Sequence, residues 1–141
     1  MHSKAQNHIL EIQSSAAEVS GVQNAIQKEM ERFGYDGDTC FAVRLAVEES
    51  VINAVRHGNK FDPALRVEVE FHVTEDEVRI RVRDQGCGFN PEEVPDPTRE
   101  ENLAKPHGRG IMLMRAYMDE VTYSACGCEV TMVKRRKKSK S

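Results

Sequence analysis

The feature that most constrains this chain is a pair of strictly alternating stretches. Val67, Val69, Phe71 and Val73 recur every second residue, and Val78, Ile80 and Val82 repeat the pattern after Thr74-Glu75-Asp76-Glu77. A period of two is the signature of a strand with one buried face. Between the apolar positions the first stretch carries Glu68, Glu70 and His72, and the second carries Arg79, Arg81 and Arg83. Opposite charges on facing strands favour antiparallel pairing, so this is a hairpin with one wet side. Its other side needs an apolar cover.

Two helical segments upstream can supply that cover. Residues 7–13 read as a short strand, after which Ser15-Ala16-Ala17-Glu18 has capping-box spacing. Val19, Val22, Ile26, Met30 and Phe33 then fall on one helical face, and Gly34 supplies a stop. A second helix is expected from about Thr39 to His57. It is apolar around more of its circumference, through Phe41, Val43, Leu45, Ala46, Val47, Val51, Ile52 and Val55, and should be the more deeply buried. Asn59 to Pro63 is a loop before the hairpin. Residues 84–107, rich in Pro, Gly, Asp and Glu, form an irregular stretch of the length that serves as a lid. A third helix from Arg109 to Asp119 and strands at about 120–125 and 128–134 close the chain. The expected fold is an α/β two-layer sandwich, with one largely antiparallel sheet and helices on one face.

At 141 residues, with 39% hydrophobic and 30% charged residues, the chain suits one soluble globular domain. Residues 1–134 are expected to form it, and 135–141, within the run from Lys134 to Ser141, a basic flexible tail. A formal net charge of −3 gives no reason to expect direct nucleic-acid binding. No apolar run reaches the ~18 residues of a spanning helix, and the N-terminus lacks the apolar core of a secretion signal, so a cytoplasmic protein with no membrane partner is expected. Cys40, Cys87, Cys126 and Cys128 contain no Cys-x-x-Cys pair, and in that compartment they would be reduced thiols.

Three constellations carry chemistry. On the second helix Phe41, Leu45, Glu49, Asn53 and His57 stand four apart, a row that begins apolar and ends polar. The amide oxygen of Asn53 is a hard neutral ligand suited to Mg²⁺, and Glu49 is placed to accept a proton from an attacking hydroxyl or water. A plain amphipathic helix with a polar end has the same row. The second constellation is Asp84-Gln85-Gly86-Cys87-Gly88. Asp84 keeps the parity of Val78, Ile80 and Val82, so its carboxylate points to the apolar face and needs a partner there, such as an exocyclic amine. Gly86 and Gly88 would let a planar base come close. A turn-capping Asp is the competing reading. The third is Gly108-Arg109-Gly110 opening a helix, where free N–H groups and the helix dipole favour phosphate. An ordinary turn would look the same. There is no Gly-x-x-x-x-Gly-Lys-Ser/Thr loop and no His-Arg-Asp or Asp-Phe-Gly motif, which excludes a P-loop enzyme and a conventional protein kinase.

In this order the three motifs resemble the ATPase superfamily of gyrase, Hsp90, histidine kinases and MutL, with its Bergerat nucleotide fold. The segments from Glu49 to Gly58 and from Gly108 to Val121 look most like the anti-sigma-factor serine kinases related to SpoIIAB and RsbW, and the likeness spans roughly Ile9 to Lys134. The resemblance implies ATP and Mg²⁺ as cofactors, with Asn53 on the metal and Glu49 as catalytic base. It implies Asp84 on the adenine amino group, Gly86 and Gly88 shaping the base pocket, and Gly108 and Gly110 on the phosphates. His57, Arg109 and Ile111 fall within the matched nucleotide-binding segments. It further implies a serine/threonine kinase acting on a STAS-domain antagonist, with a sigma factor bound by a kinase homodimer. Where some relatives carry an arginine ahead of the glycine motif, this chain has Lys105-Pro106-His107, and Lys105 is left to supply the charge near the γ-phosphate. Pro95 and Pro97 stiffen the lid, and Cys87 is a small residue between the pocket glycines. The competing reading is a non-catalytic anti-sigma or switch module that uses ATP to order its lid. A sensor histidine kinase or a MutL- or gyrase-type ATPase is disfavoured, since no phosphoacceptor or transducer domain accompanies the fold.

Overall fold

The structure is a computed structural model, and it describes residues 7–60, 62–86, 109–125 and 127–136. Five strands, β1 (Asn7–Gln13), β2 (Arg66–Val73), β3 (Glu77–Asp84), β4 (Glu120–Tyr123) and β5 (Glu129–Arg135), form one sheet. Its order is β1-β2-β3-β5-β4, and every neighbouring pair is antiparallel. Three helices, α1 (Val19–Arg32), α2 (Gly37–Asn53) and α3 (Arg109–Tyr117), accompany it. The expected α/β sandwich is the one observed.

The hairpin registers as its charges require. Glu70 faces Arg81 and Glu68 faces Arg83, while Phe71 faces Ile80 and Val69 faces Val82. Arg81 binds Glu70 at 2.9 Å, Glu68 at 3.4 Å and Glu129 of β5 at 3.2 Å. These pairs are partly exposed and contribute little individually. The apolar parity does the larger work: Val67, Val69, Val73, Val78 and Ile80 are completely buried. They pack with Val22, Ile26 and Met30 of α1 and Val43, Val47 and Val51 of α2 in one core.

The helix ends follow from local chemistry. Ser15 accepts from Ala17 N–H and opens a short 3₁₀ turn (Ala16–Glu18) rather than α1 itself. Gly34 takes φ +74° and closes α1 with Gly34 N–H to Glu31 O and Tyr35 N–H to Met30 O, the paired bonds of a Schellman cap. The Asp36 carboxylate accepts from Thr39 N–H at 2.7 Å, so α2 starts at Gly37, two residues before the expected Thr39. Arg136 donates to Phe33 O, Gly34 O and Glu75 O, and its guanidinium lies 4.2 Å over the Tyr35 ring. Folded structure therefore continues two residues past Lys134.

Two expectations are corrected. Phe41, assigned to the core-facing row, is 57% exposed. Successive steps of four residues advance 400° around a helix, a drift of about 40° each, so a row of five cannot stay on one face. Cys128 is disulfide-bonded while Cys40 is free. The expectation of reduced thiols rested on compartment and not on geometry, and the partner of Cys128 lies outside the described residues.

Candidate functional site

The site forms where the end of α2 meets the end of β3. Past Asn53 the helix widens into a π turn (Ala54–Gly58), closed by Asn59 N–H to Ala54 O at 2.8 Å. Such a turn inserts one residue into the helical ladder and is frequent at functional sites. Here it carries Gly58 and Asn59 beneath the turn that follows β3. A Cβ on Gly58 would lie 2.2 Å from Asp84 Oδ2, and one on Gly86 would lie 2.1 Å from Gly58 O. Only glycine fits at either position.

Asn59, 2% exposed, joins the two segments. Its Oδ1 accepts from Gly86 N–H at 2.8 Å and Gln85 N–H at 3.1 Å, while its Nδ2 donates to Arg66 O at 3.0 Å. Gln85 Oε1 in turn accepts from Arg66 N–H at 2.7 Å. The backbone on both sides of Asp84 is thus held: Asp84 N–H bonds Cys128 O, and Asp84 Oδ1 accepts from Gly86 N–H at 3.1 Å. The turn-capping role considered for Asp84 is realised, and so is the burial expected from its parity, at 4% exposed. Gly58 and Asn59 were not singled out as site residues. A glycine at a helix end reads as an ordinary C-cap, and an asparagine after it as loop.

Asn53 is 2% exposed and its Nδ2 has no well-formed hydrogen bond. Beside it lies the phenol of Tyr123 on β4. Burial pushes the Tyr123 phenol up to about 12, against the smaller opposing effects of Asn53 and Arg115. Tyr123 also lines, with Ser50, Ala54, Asp84 and Cys128, a half-open crevice of about 10 Å³. That is room for roughly one water molecule and not for a base. Asp84 and Tyr123 thus share one small crevice, and Asn53 lies beside Tyr123. Glu49, one turn before Asn53, is half-buried, and its carboxyl is raised above the usual range by burial first and the Glu48 charge second, with Arg56 opposing. His57 is half-buried within the π turn. Arg109, Gly110 and Ile111 form the first residues of α3. Gly88, Lys105 and Gly108 lie outside the described residues, as do Cys87 and the expected lid.

The donor set suits a nucleotide–magnesium pair. A buried, unsaturated carboxamide, a buried carboxylate and two glycines that admit no side chain are the features a bound metal–phosphate group and a flat base require. Among the described residues no cluster of three or more His, Cys, Asp or Glu could hold a cation by itself.

Fold and site together define a nucleotide-binding ATPase domain. The model of the histidine kinase-like ATPase domain family matches residues 12–134, and the chain belongs to that family. Within it the chain is RsbW-like: it is 30% identical over 146 residues to the serine-protein kinase RsbW of Staphylococcus aureus, the match covering 98% of this chain and 92% of that protein. The same similarity holds for the RsbW proteins of several strains of that species, among them Newman and USA300. Among solved structures, the RsbU and RsbW domains of Rv1364c from Mycobacterium tuberculosis superpose with a TM-score of 0.60 at 15% identity. That match covers 94% of this chain and 32% of the longer one, and supports the fold alone. Among the described residues no helix is long and apolar enough to cross a membrane.

Proposed function

We propose that this chain is an ATP-dependent serine/threonine protein kinase of the anti-sigma-factor type. Its substrate would be a hydroxyl on a STAS-domain antagonist, and its regulatory target a sigma factor held by a cytoplasmic homodimer. The observation that carries this reading is the pairing on α2 of Glu49, a half-buried carboxyl whose affinity for protons is raised, with buried Asn53 one turn later. A protein that only bound nucleotide would have no use for such a base.

Asn53 would present its amide oxygen to Mg²⁺, which when bound neutralises charge on the transferring phosphoryl group. Glu49 takes the proton of the attacking hydroxyl, and its raised proton affinity brings it closer to the working pH of a general base. Asp84 would read the exocyclic amine of adenine, with Asn59 and the two glycines fixing the carboxylate and giving the base a flat approach. Gly88 would shape the same pocket. His57, Lys105, Gly108, Arg109, Gly110 and Ile111 complete the proposed nucleotide contacts, the last three at the N-terminus of α3 where backbone N–H groups favour anions.

The test is to incubate the protein with γ-labelled ATP and candidate STAS-domain antagonists. Transfer of label to an antagonist serine or threonine supports the reading. ATP binding and sigma-factor capture without transfer to any antagonist would establish instead a non-catalytic anti-sigma module.

A further inference from the structure

Gly86 N–H has two acceptors: Asn59 Oδ1 at 2.8 Å and Asp84 Oδ1 at 3.1 Å. One proton divided between two oxygens gives each a weaker bond than it would give either alone. The nearer oxygen is that of Asn59, so the asparagine draws the donor of this turn away from the carboxylate. Asn59 stands there because its own N–H closes the π turn on Ala54 O, which sets its side chain, buried, against the turn after β3. Its amide cannot be reversed. The oxygen end meets the N–H groups of Gln85 and Gly86, and the nitrogen end meets Arg66 O at 3.0 Å. A half-turn would set NH₂ against two donors and oxygen against a carbonyl.

Without Asn59, Gly86 N–H would fall wholly to Asp84. An Asp that bonds the backbone N–H two residues on closes an Asx turn, and a carboxylate engaged in that way is a poorer acceptor for a ligand. The same aspartate can thus cap its own turn or read an amine, and the competing acceptor decides between the two. We propose that Asn59 is a specificity-determining residue: by taking the Gly86 N–H it leaves the Asp84 carboxylate to accept from the exocyclic amine of a bound purine, and so sets a preference for aminopurine nucleotides. This deepens the proposed function and rests on its assignment of Asp84 to the base. Asn59 is a positioning residue; it acts through Asp84 and the Gln85–Gly86 turn, not by contact with the nucleotide.

The experiment is calorimetric titration, with Mg²⁺ present, of ATP and of purine riboside triphosphate, which carries hydrogen in place of the amine. A hydrogen bond to a charged acceptor separates two such ligands by about 10- to 150-fold, and the wild type should prefer ATP by a factor in that range. Asn59→Ala should cut the preference by about fivefold or more through weaker ATP binding, while affinity for the analogue stays within about twofold of wild type. A merely structural loss would weaken both nucleotides alike and leave their ratio untouched. The wild-type ratio retained in Asn59→Ala would therefore overturn the assignment. A wild type that binds the two nucleotides equally would instead sink Asp84 as the reader of the base, and this inference with it. If Asn59→Ala fails to give a native circular dichroism spectrum, Asn59→Ser is read in the same way. Its hydroxyl keeps a polar group at the position but is one bond too short to reach the two N–H groups.

Discussion

Gly58 and Asp84 stand so close that a methyl group on Gly58 would lie 2.2 Å from Asp84 Oδ2. The end of α2 is therefore pressed against the carboxylate proposed to read the base, and any side chain at 58 must displace it. Gly58→Ala should lower stability by about 1–3 kcal/mol, the usual cost of overpacking. It should also weaken ATP binding at least tenfold in titrations of the folded protein. Gly21 is the control: it lies exposed in α1 with no atom within 4 Å of an added Cβ. Gly21→Ala should raise stability by about 0.5–1 kcal/mol in thermal melts and leave ATP affinity unchanged.

Asn59 accepts from the N–H groups of Gln85 and Gly86, and truncating it removes the Gln85 acceptor and leaves Gly86 N–H with Asp84 Oδ1. Asn59→Ala should cost about 1–3 kcal/mol in chemical denaturation. Because the loss falls on the turn after Asp84, ATP affinity should fall with it. Unchanged affinity in a destabilised protein would separate the turn from base recognition.

What the sequence revealed and what it hid divide along physical lines. Period-two alternation identified β2 and β3 and put Asp84 on the buried face, because a strand's parity does not drift. The helical row was less reliable: Asn53 is buried, as the role proposed for it requires, yet Phe41, three steps earlier, faces solvent. The π turn has no residue signature, since an i to i−5 bond forms with any side chain. Gly58 and Asn59 consequently looked like a helix end and a loop, although they brace the site from beneath. The helix-terminal bonds of Arg136 were also hidden, because a basic run reads as solvated until its carbonyl partners are seen.

Arg136 saturates carbonyls at the end of α1 and covers Tyr35, whose phenol burial pushes up to about 12. Its loss uncovers Phe33 O and Gly34 O together with the cation–π contact. Arg136→Ala should cost about 1–3 kcal/mol. Arg136→Lys should recover less than half of that in thermal melts, since an ammonium cannot reproduce the planar fork. Neither change should alter ATP affinity, because the contact lies at the opposite end of α1 and α2 from Asn53.

Glu49 links stability and catalysis with opposite signs. Its carboxyl is raised in the folded state, mainly by burial. A raised carboxyl favours the fold fully below its unfolded value, and that contribution is lost as pH rises through the folded value. Glu49→Gln removes the charge that burial penalises, so the variant should be more stable than wild type at neutral pH. The gap should close on acidification toward the ordinary carboxylate range. Phosphotransfer should move the other way, falling about 10²–10⁴-fold with ATP affinity retained. In the wild type the acid limb of the rate profile should lie above pH ~4.3, the ordinary glutamate value. Denaturation curves at several pH values, read beside single-turnover transfer rates, check both halves. A variant that transfers phosphate as fast as wild type would remove Glu49 from the role of base.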